Sequence, residues 1–273
     1  MEALVRALHV LVPVLWTAAA AAYLVTFVRD DFGAACWGLR LVVLAIVLHA
    51  AEFAATATFG IPPMVQPGAI VSGMGLATAL IYLGLERRIG RATIGIFAIG
   101  MVAVLAVAGN ASADPFAVPP AGLPTGKTSL HVTAAIIGYS GLLLAATFGA
   151  LLLAQQRALR RRSFGLFWER LPSVELLDAF TTGSLLAATI FLTVTIGLGH
   201  MTRHDSDRMG PYWQEPKIVA TNLLWLLTLL TFAARKTKRL RPPAAAVASL
   251  ALLAIAMVNL TIVNRISKVH EGL

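Results

Sequence analysis

Charged side chains are scarce in this sequence. Only 13% of its 273 residues are Asp, Glu, Lys or Arg, while 58% are hydrophobic; soluble domains carry about 25% charged residues. A chain this long cannot clothe a soluble core with so few charges, which excludes an ordinary soluble enzyme and a disordered protein. Cysteine occurs once, at Cys36, which excludes a disulfide within the chain and any multi-cysteine metal site. Acidic residues are fewer than basic ones, 13 against 22, leaving a net charge of +9. The sequence also has no phosphate-binding glycine loop, no Gly-x-Ser-x-Gly elbow and no His-Glu-x-x-His, so no hydrolase nucleophile with its base is in evidence.

What the sequence has instead is long apolar runs, with a mean hydropathy of +0.79. A membrane helix needs roughly 20 mostly apolar residues. Eight segments qualify: 7–28, 37–58, 69–86, 93–109, 129–156, 175–199, 216–234 and 242–264. None alternates with the two-residue period of a barrel strand. Helices satisfy their own backbone hydrogen bonds in lipid, so the predicted fold is an all-α polytopic membrane protein, a bundle of about eight transmembrane helices. The first run has some features of a signal peptide, but its length and the Arg29-Asp30-Asp31 stop favour a retained helix.

Orientation follows from Lys and Arg in the connections. Fifteen of the 22 lie on one side: Arg29, Arg40, Arg87, Arg88, Arg91, five between 157 and 170, and five between 235 and 241. That side is expected to be cytoplasmic, with both termini outside. Topology thereby accounts for the basic character, and nucleic-acid binding is not expected. No connection is long enough for a soluble domain, so residues 1–273 are expected to form a single integral-membrane domain. The outer connection 110–128, with three prolines after Asp114-Pro115, reads as an irregular cap. The inner stretch 157–172 mixes arginines with Phe164, Phe167 and Trp168, which suits either a short helix in the headgroup region or a basic loop with interfacial aromatics.

Ionisable groups within membrane segments are costly and therefore informative. His49 lies near the middle of the second segment, and Glu52 follows on nearly the same helical face. A carboxylate there can fix the imidazole tautomer and leave the other nitrogen for a metal; a self-satisfied His–Glu pair between helices is the plainer alternative. His131 opens the fifth segment, His270 lies beyond the eighth, and His9 reads as interfacial. The connection 200–215 carries His200, Arg203, His204, Asp205, Asp207, Arg208, Tyr212 and Trp213. Its histidines and aspartates would serve zinc only if helical. Arg203 and Arg208 could pair with carboxylates of an anionic ligand; Tyr212 and Trp213 are either an interfacial belt or a stacking surface. Ser173 reads as a helix cap with Glu175 and Asp178 favoured in the first turn. Tyr139, Asn222 and Asn259 read as interhelical hydrogen-bonding groups.

Four stretches together resemble the cytochrome c assembly family, the CcsA-type proteins and their shorter HemX and YpjD relatives. They are Leu48-His49 with Gly60-Ile61-Pro62-Pro63; Leu130-His131 with Tyr139; Leu171-Pro172-Ser173-Val174-Glu175; and Tyr212-Trp213-Gln214-Glu215-Pro216-Lys217 with Trp225. The last is similar to the family's tryptophan-rich Trp-Asp-Pro-Lys segment and is the most specific. The resemblance implies binding of heme b and its presentation to apocytochrome c at the outer face of the cytoplasmic membrane. His131 would be an outer iron ligand, Trp213 and Tyr212 part of the platform, Arg203 and Arg208 near the propionates, His49 an intramembrane ligand and His270 a terminal one. A CcsB-type protein would be the partner, and the chain would be a carrier or synthetase subunit more than an enzyme by itself. The chain departs from the family pattern in having one platform tryptophan, Glu215 in place of aspartate, and Ala233 where a second intramembrane histidine is expected, which points to the short HemX or YpjD type. Two alternatives stand beside this. A HemX-type regulator acting on the level of glutamyl-tRNA reductase would use the basic loops 157–170 and 235–241 without heme ligation. A small proton-coupled transporter would use His49 and Glu52.

Overall fold

Length and composition force helices, and helices are what the chain forms. The structure, a computed structural model, describes residues 2–58, 66–89, 94–116, 126–162, 165–201 and 215–263. Its helices are α1 (Glu2–Arg29), α2 (Phe32–Ala57), α3 (Pro67–Ile89), α4 (Gly95–Ser112), α5 (Gly126–Arg161), α6 (Leu166–Arg170), α7 (Val174–Met201), α8 (Pro216–Lys236) and α9 (Pro242–Val258), the last running into a π-helical turn, Asn259–Val263. No strand occurs among the described residues. Eight of these helices are long and apolar enough to cross a bilayer. The chain is an all-α, multi-pass membrane protein.

Helix ends follow local chemistry. Asp31 caps α2, its carboxylate accepting from the backbone N–H of Gly33 at 2.7 Å and of Ala34 at 3.2 Å. Pro216 and Pro242 open α8 and α9, where a missing N–H costs nothing. Ser173 caps α7 through a bond from Leu176 N at 3.4 Å, as the sequence predicts. Asp30, Arg162 and Lys238, which follow α1, α5 and α8, turn the chain with φ of 58°, 52° and 60°, the left-handed conformation that ends many helices.

The residues cluster into two compact units, Met1–Leu123 with Ala154–Leu177, and Pro124–Leu153 with Asp178–Leu273; the chain passes between them within α5 and α7. In the first unit α1 lays down a buried stripe at three- and four-residue spacing, Val5, Leu8, Val12, Trp16, Ala19 and Tyr23, against α2 and α4. Helices α3 and α4 cross so closely that a Cβ on Gly109 would lie 2.5 Å from the backbone nitrogen of Ser72. Only glycine permits that approach, the usual way membrane helices gain packing without a hydrophobic drive. In the second unit, α8 packs beside α9 and its π turn.

Two expectations need adjustment. The basic stretch 157–172, expected as a short helix or a basic loop, is divided: α5 continues to Arg161, and the short helix is the five residues of α6, tied back by Arg170 to Asp30 at 2.7 Å. The outer connection begins later than residue 110, because α4 extends to Ser112 and carries Asn110 inside the membrane segment. The remainder of that cap, 117–125, lies outside the described residues.

Candidate functional site

The first unit holds a buried polar chain drawn from four helices. His9 and Trp16 stand seven residues apart on one face of α1; His49 and Glu52 share a face of α2; Ser72 comes from α3 and Asn110 from α4. Trp16 Nε1 donates to His49 Nδ1 at 3.2 Å. Indole N–H is a donor only, so Nδ1 must carry a lone pair. The proton of His49 therefore sits on Nε2, which donates to Ser72 Oγ at 2.9 Å. Ser72 in turn donates to Asn110 Oδ1 at 2.6 Å. The Asn110 amide donates to Glu52 Oε1 at 3.1 Å and to the His9 carbonyl at 2.9 Å. His9 Nε2 donates to the Asn110 carbonyl at 2.8 Å, and His9 Nδ1 meets Glu52 Oε1 at 2.7 Å. One proton lies between those two atoms, so the pair is neutral overall whichever atom holds it. A small cleft of about 30 Å³, lined by His9, Glu52, Ser72 and Asn110 among others, adjoins the network. That is room for about two waters.

Three sequence expectations change here. Glu52 does not orient His49; it pairs with His9, which is built into the network and is not merely interfacial. The reason is register: the antiparallel crossing of α1 and α2 sets His9 beside Glu52 and Trp16 beside His49. And His49, fully buried, has both ring nitrogens occupied. For iron to bind there, the bond from Trp16 or the bond to Ser72 must break.

In the second unit His131 is held differently. Its Nδ1 lies 2.9 Å from the carbonyl oxygen of Thr195 on α7. A carbonyl only accepts, so Nδ1 carries the proton and Nε2 carries the lone pair. Among the described residues Nε2 has no hydrogen-bond partner. An imidazole with Nδ1–H on a backbone carbonyl and a free Nε2 is the arrangement by which proteins prepare a histidine for a metal. Gly199 makes room for the ring: a Cβ there would lie 3.1 Å from His131 Cε1. Farther along α5, Tyr139 OH accepts from Asn259 Nδ2 at 3.0 Å, and the same amide donates to Thr221 Oγ1 at 3.1 Å. Lys217 Nζ donates to the Asn259 carbonyl at 3.2 Å.

A profile of the cytochrome C assembly protein family matches residues 9–270. The chain belongs to this family. No curated protein and no solved structure matches it. Membership assigns the protein to cytochrome c biogenesis. The family match covers both compact units and begins and ends on histidines of the sequence, His9 and His270.

Of the heme-binding residues that the family resemblance implies, His49 and His131 are described, in different units. Arg203, His204, Asp205, Asp207, Arg208, Tyr212, Trp213 and His270 lie outside the described residues, as does the Gly60–Pro63 turn. No group of three or more potential metal-ligating side chains occurs among the described residues, and of the zinc set only His200 is among them. Trp225 donates to Thr193 Oγ1 at 2.8 Å. Asp178, expected to act on the helix dipole, is instead the carboxylate partner of Arg235, which donates from Nε at 2.8 Å and from a second nitrogen. Asn222 bonds its own helix at Ile218 O and, among the described residues, no neighbour, whereas Asn259 is interhelical as expected. His9, Trp16, Ser72 and Asn110 were not legible as a group, because their meeting depends on helix register and crossing. Lys217 was legible only as part of the Pro-Lys motif.

Proposed function

We propose that the protein binds heme in its second unit through His131 and presents it for attachment to apocytochrome c. The observation that carries this reading is the tautomer of His131, whose Nδ1–H is spent on the Thr195 carbonyl while Nε2 is left with its lone pair. When bound, heme supplies the vinyl groups to which the cytochrome's own cysteines add, so the chain needs no nucleophile; its task is to hold and orient. In this reading the His131 end faces outward, opposite the basic connections, in the cytoplasmic membrane. Trp213 and Tyr212 offer a flat surface, Arg203 and Arg208 meet the propionates, and His270 is a second axial candidate. A CcsB-type protein and apocytochrome c are the expected partners. His49 serves the first unit as a structural member of its polar chain in the state described.

The test is the absorption spectrum of detergent-purified protein loaded with heme, beside His131→Ala and His49→Ala. The expected result is a Soret band in the parent protein that is lost in His131→Ala, restored by added imidazole, and kept in His49→Ala. A Soret band that depends on His49 and ignores His131 would overturn the assignment. The regulator alternative would rest on the basic loops 157–170 and 235–241, in which Arg170 and Arg235 pair with Asp30 and Asp178.

A further inference from the structure

We propose that Lys217 is the seat for an anionic oxygen group of a ligand bound at the His131 end of the second unit, either a tetrapyrrole carboxylate or a lipid phosphate. The carboxylate source rests on the reading of His131 given above. Lysines at the ends of membrane helices ordinarily reach outward to water. Lys217 does the opposite. It stands in the first turn of α8, is half-buried, and turns its ammonium to the carbonyl of Asn259 at 3.2 Å, in the π turn that follows α9. An ammonium has three N–H donors, and among the described residues a single one is used. No carboxylate lies within ion-pair distance of it among the described residues, whose ion pairs are His9–Glu52, Arg170–Asp30 and Arg235–Asp178.

The second observation comes from Asn259 itself. The residue is 1% exposed, and its amide nitrogen is fully engaged with Tyr139 and Thr221. Its side-chain oxygen is buried without a partner. A buried acceptor left open on the same residue that receives an ammonium with donors to spare describes a site not completed by the described residues, and such groups call for an explanation. A carboxyl or phosphate group completes it: its oxygens accept from Lys217, and its acid O–H or a water it holds gives to the Asn259 oxygen. The positive end of the α8 dipole adds attraction of the same sign. Tyr139, which binds Asn259, lies eight residues from His131 on α5, about 12 Å along the axis, so one large ligand can meet both positions.

The experiment titrates full-length protein in detergent with hemin and with hemin dimethyl ester, following the Soret band, for the parent, Lys217→Met, Lys217→Arg and His131→Ala. We expect Lys217→Met to weaken hemin binding about tenfold, the weight of one charge-assisted hydrogen bond, and to leave ester binding unchanged. Lys217→Arg should bind both as the parent does. Lys217→Met binding hemin and ester both as tightly as the parent would overturn the carboxylate seat. If the parent binds neither, the reading of His131 fails, and phosphatidylglycerol retained in native mass spectra decides the seat. Retention lost in Lys217→Met supports a phosphate there; equal retention overturns the proposal altogether. Gel filtration of each variant checks folding, with Lys217→Gln as the substitute if Lys217→Met does not fold.

Discussion

Removing one hydroxyl should expose how the first unit is held. Ser72 Oγ accepts from His49 Nε2 and donates to Asn110 Oδ1, so Ser72→Ala leaves two buried polar groups facing a methyl. In water-soluble cores each orphaned group costs about 1–3 kcal/mol. Within membranes, side-chain hydrogen bonds average about 0.6 kcal/mol and reach about 1.7. Two such bonds give about 1–3 kcal/mol for Ser72→Ala. The lower part of that range applies if a water from the adjoining cleft takes the hydroxyl's place. Reversible unfolding in mixed micelles with increasing SDS, read by tryptophan fluorescence, measures the loss directly. The decisive comparison is a cycle with Asn110→Leu. Both substitutions delete the same Ser72–Asn110 bond, so the double variant should lose less than the two single losses added together. A Ser72→Ala protein within about 0.3 kcal/mol of the parent, or losses that simply add, would refute the assigned chain and with it the claim that both nitrogens of His49 are engaged.

Other consequences are as direct. Gly199→Leu should push the His131 ring off Thr195 and lower heme binding at least several-fold in a Soret titration, while Gly197→Ala, whose added methyl meets nothing within 4 Å, should be silent. Asp178→Asn should cost about 2–4 kcal/mol in the SDS assay, because it strands a largely buried guanidinium; Asp178→Arg combined with Arg235→Asp should recover part of that. Asp30→Asn should change stability by less than about 0.5 kcal/mol, since the Asp30 side chain is 65% exposed and such pairs contribute little. Gly109→Val should abolish folding or shift the unfolding midpoint strongly, as the α3–α4 crossing leaves no space for a side chain.

The fold was legible in the sequence because a membrane helix is dictated by composition over a long window, and a few misjudged residues do not hide it. All eight spans are legible that way, and their ends are displaced by only a few residues, most at the starts of α1 and α2, which reach back to Glu2 and Phe32, and at the end of α5, where charged residues continue the helix past the apolar run. Pairings were less legible. His49 and Glu52 share a helical face in the sequence, yet the partner of Glu52 comes from another helix 43 positions away. Nothing local encodes that: it depends on how α1 and α2 cross. The pairing of Asp178 is hidden for the same reason, since its partner Arg235 is 57 positions distant. His131 was legible as a candidate from its motif, but its tautomer required the Thr195 carbonyl to be in place.

The three left-handed residues that end α1, α5 and α8 are all charged, Asp30, Arg162 and Lys238. Glycine adopts that conformation without the penalty a side chain meets, about 1–2 kcal/mol. Arg162→Gly and Lys238→Gly should therefore raise the stability of the finished fold. They would also each remove a positive charge from a connection between membrane helices, where Lys and Arg bias orientation as a chain enters the bilayer. The two substitutions thus bear on two moments in the life of one molecule, insertion and residence. A screen that rewards thermal stability in detergent alone would accept substitutions that a translocating ribosome-bound chain pays for in inverted copies.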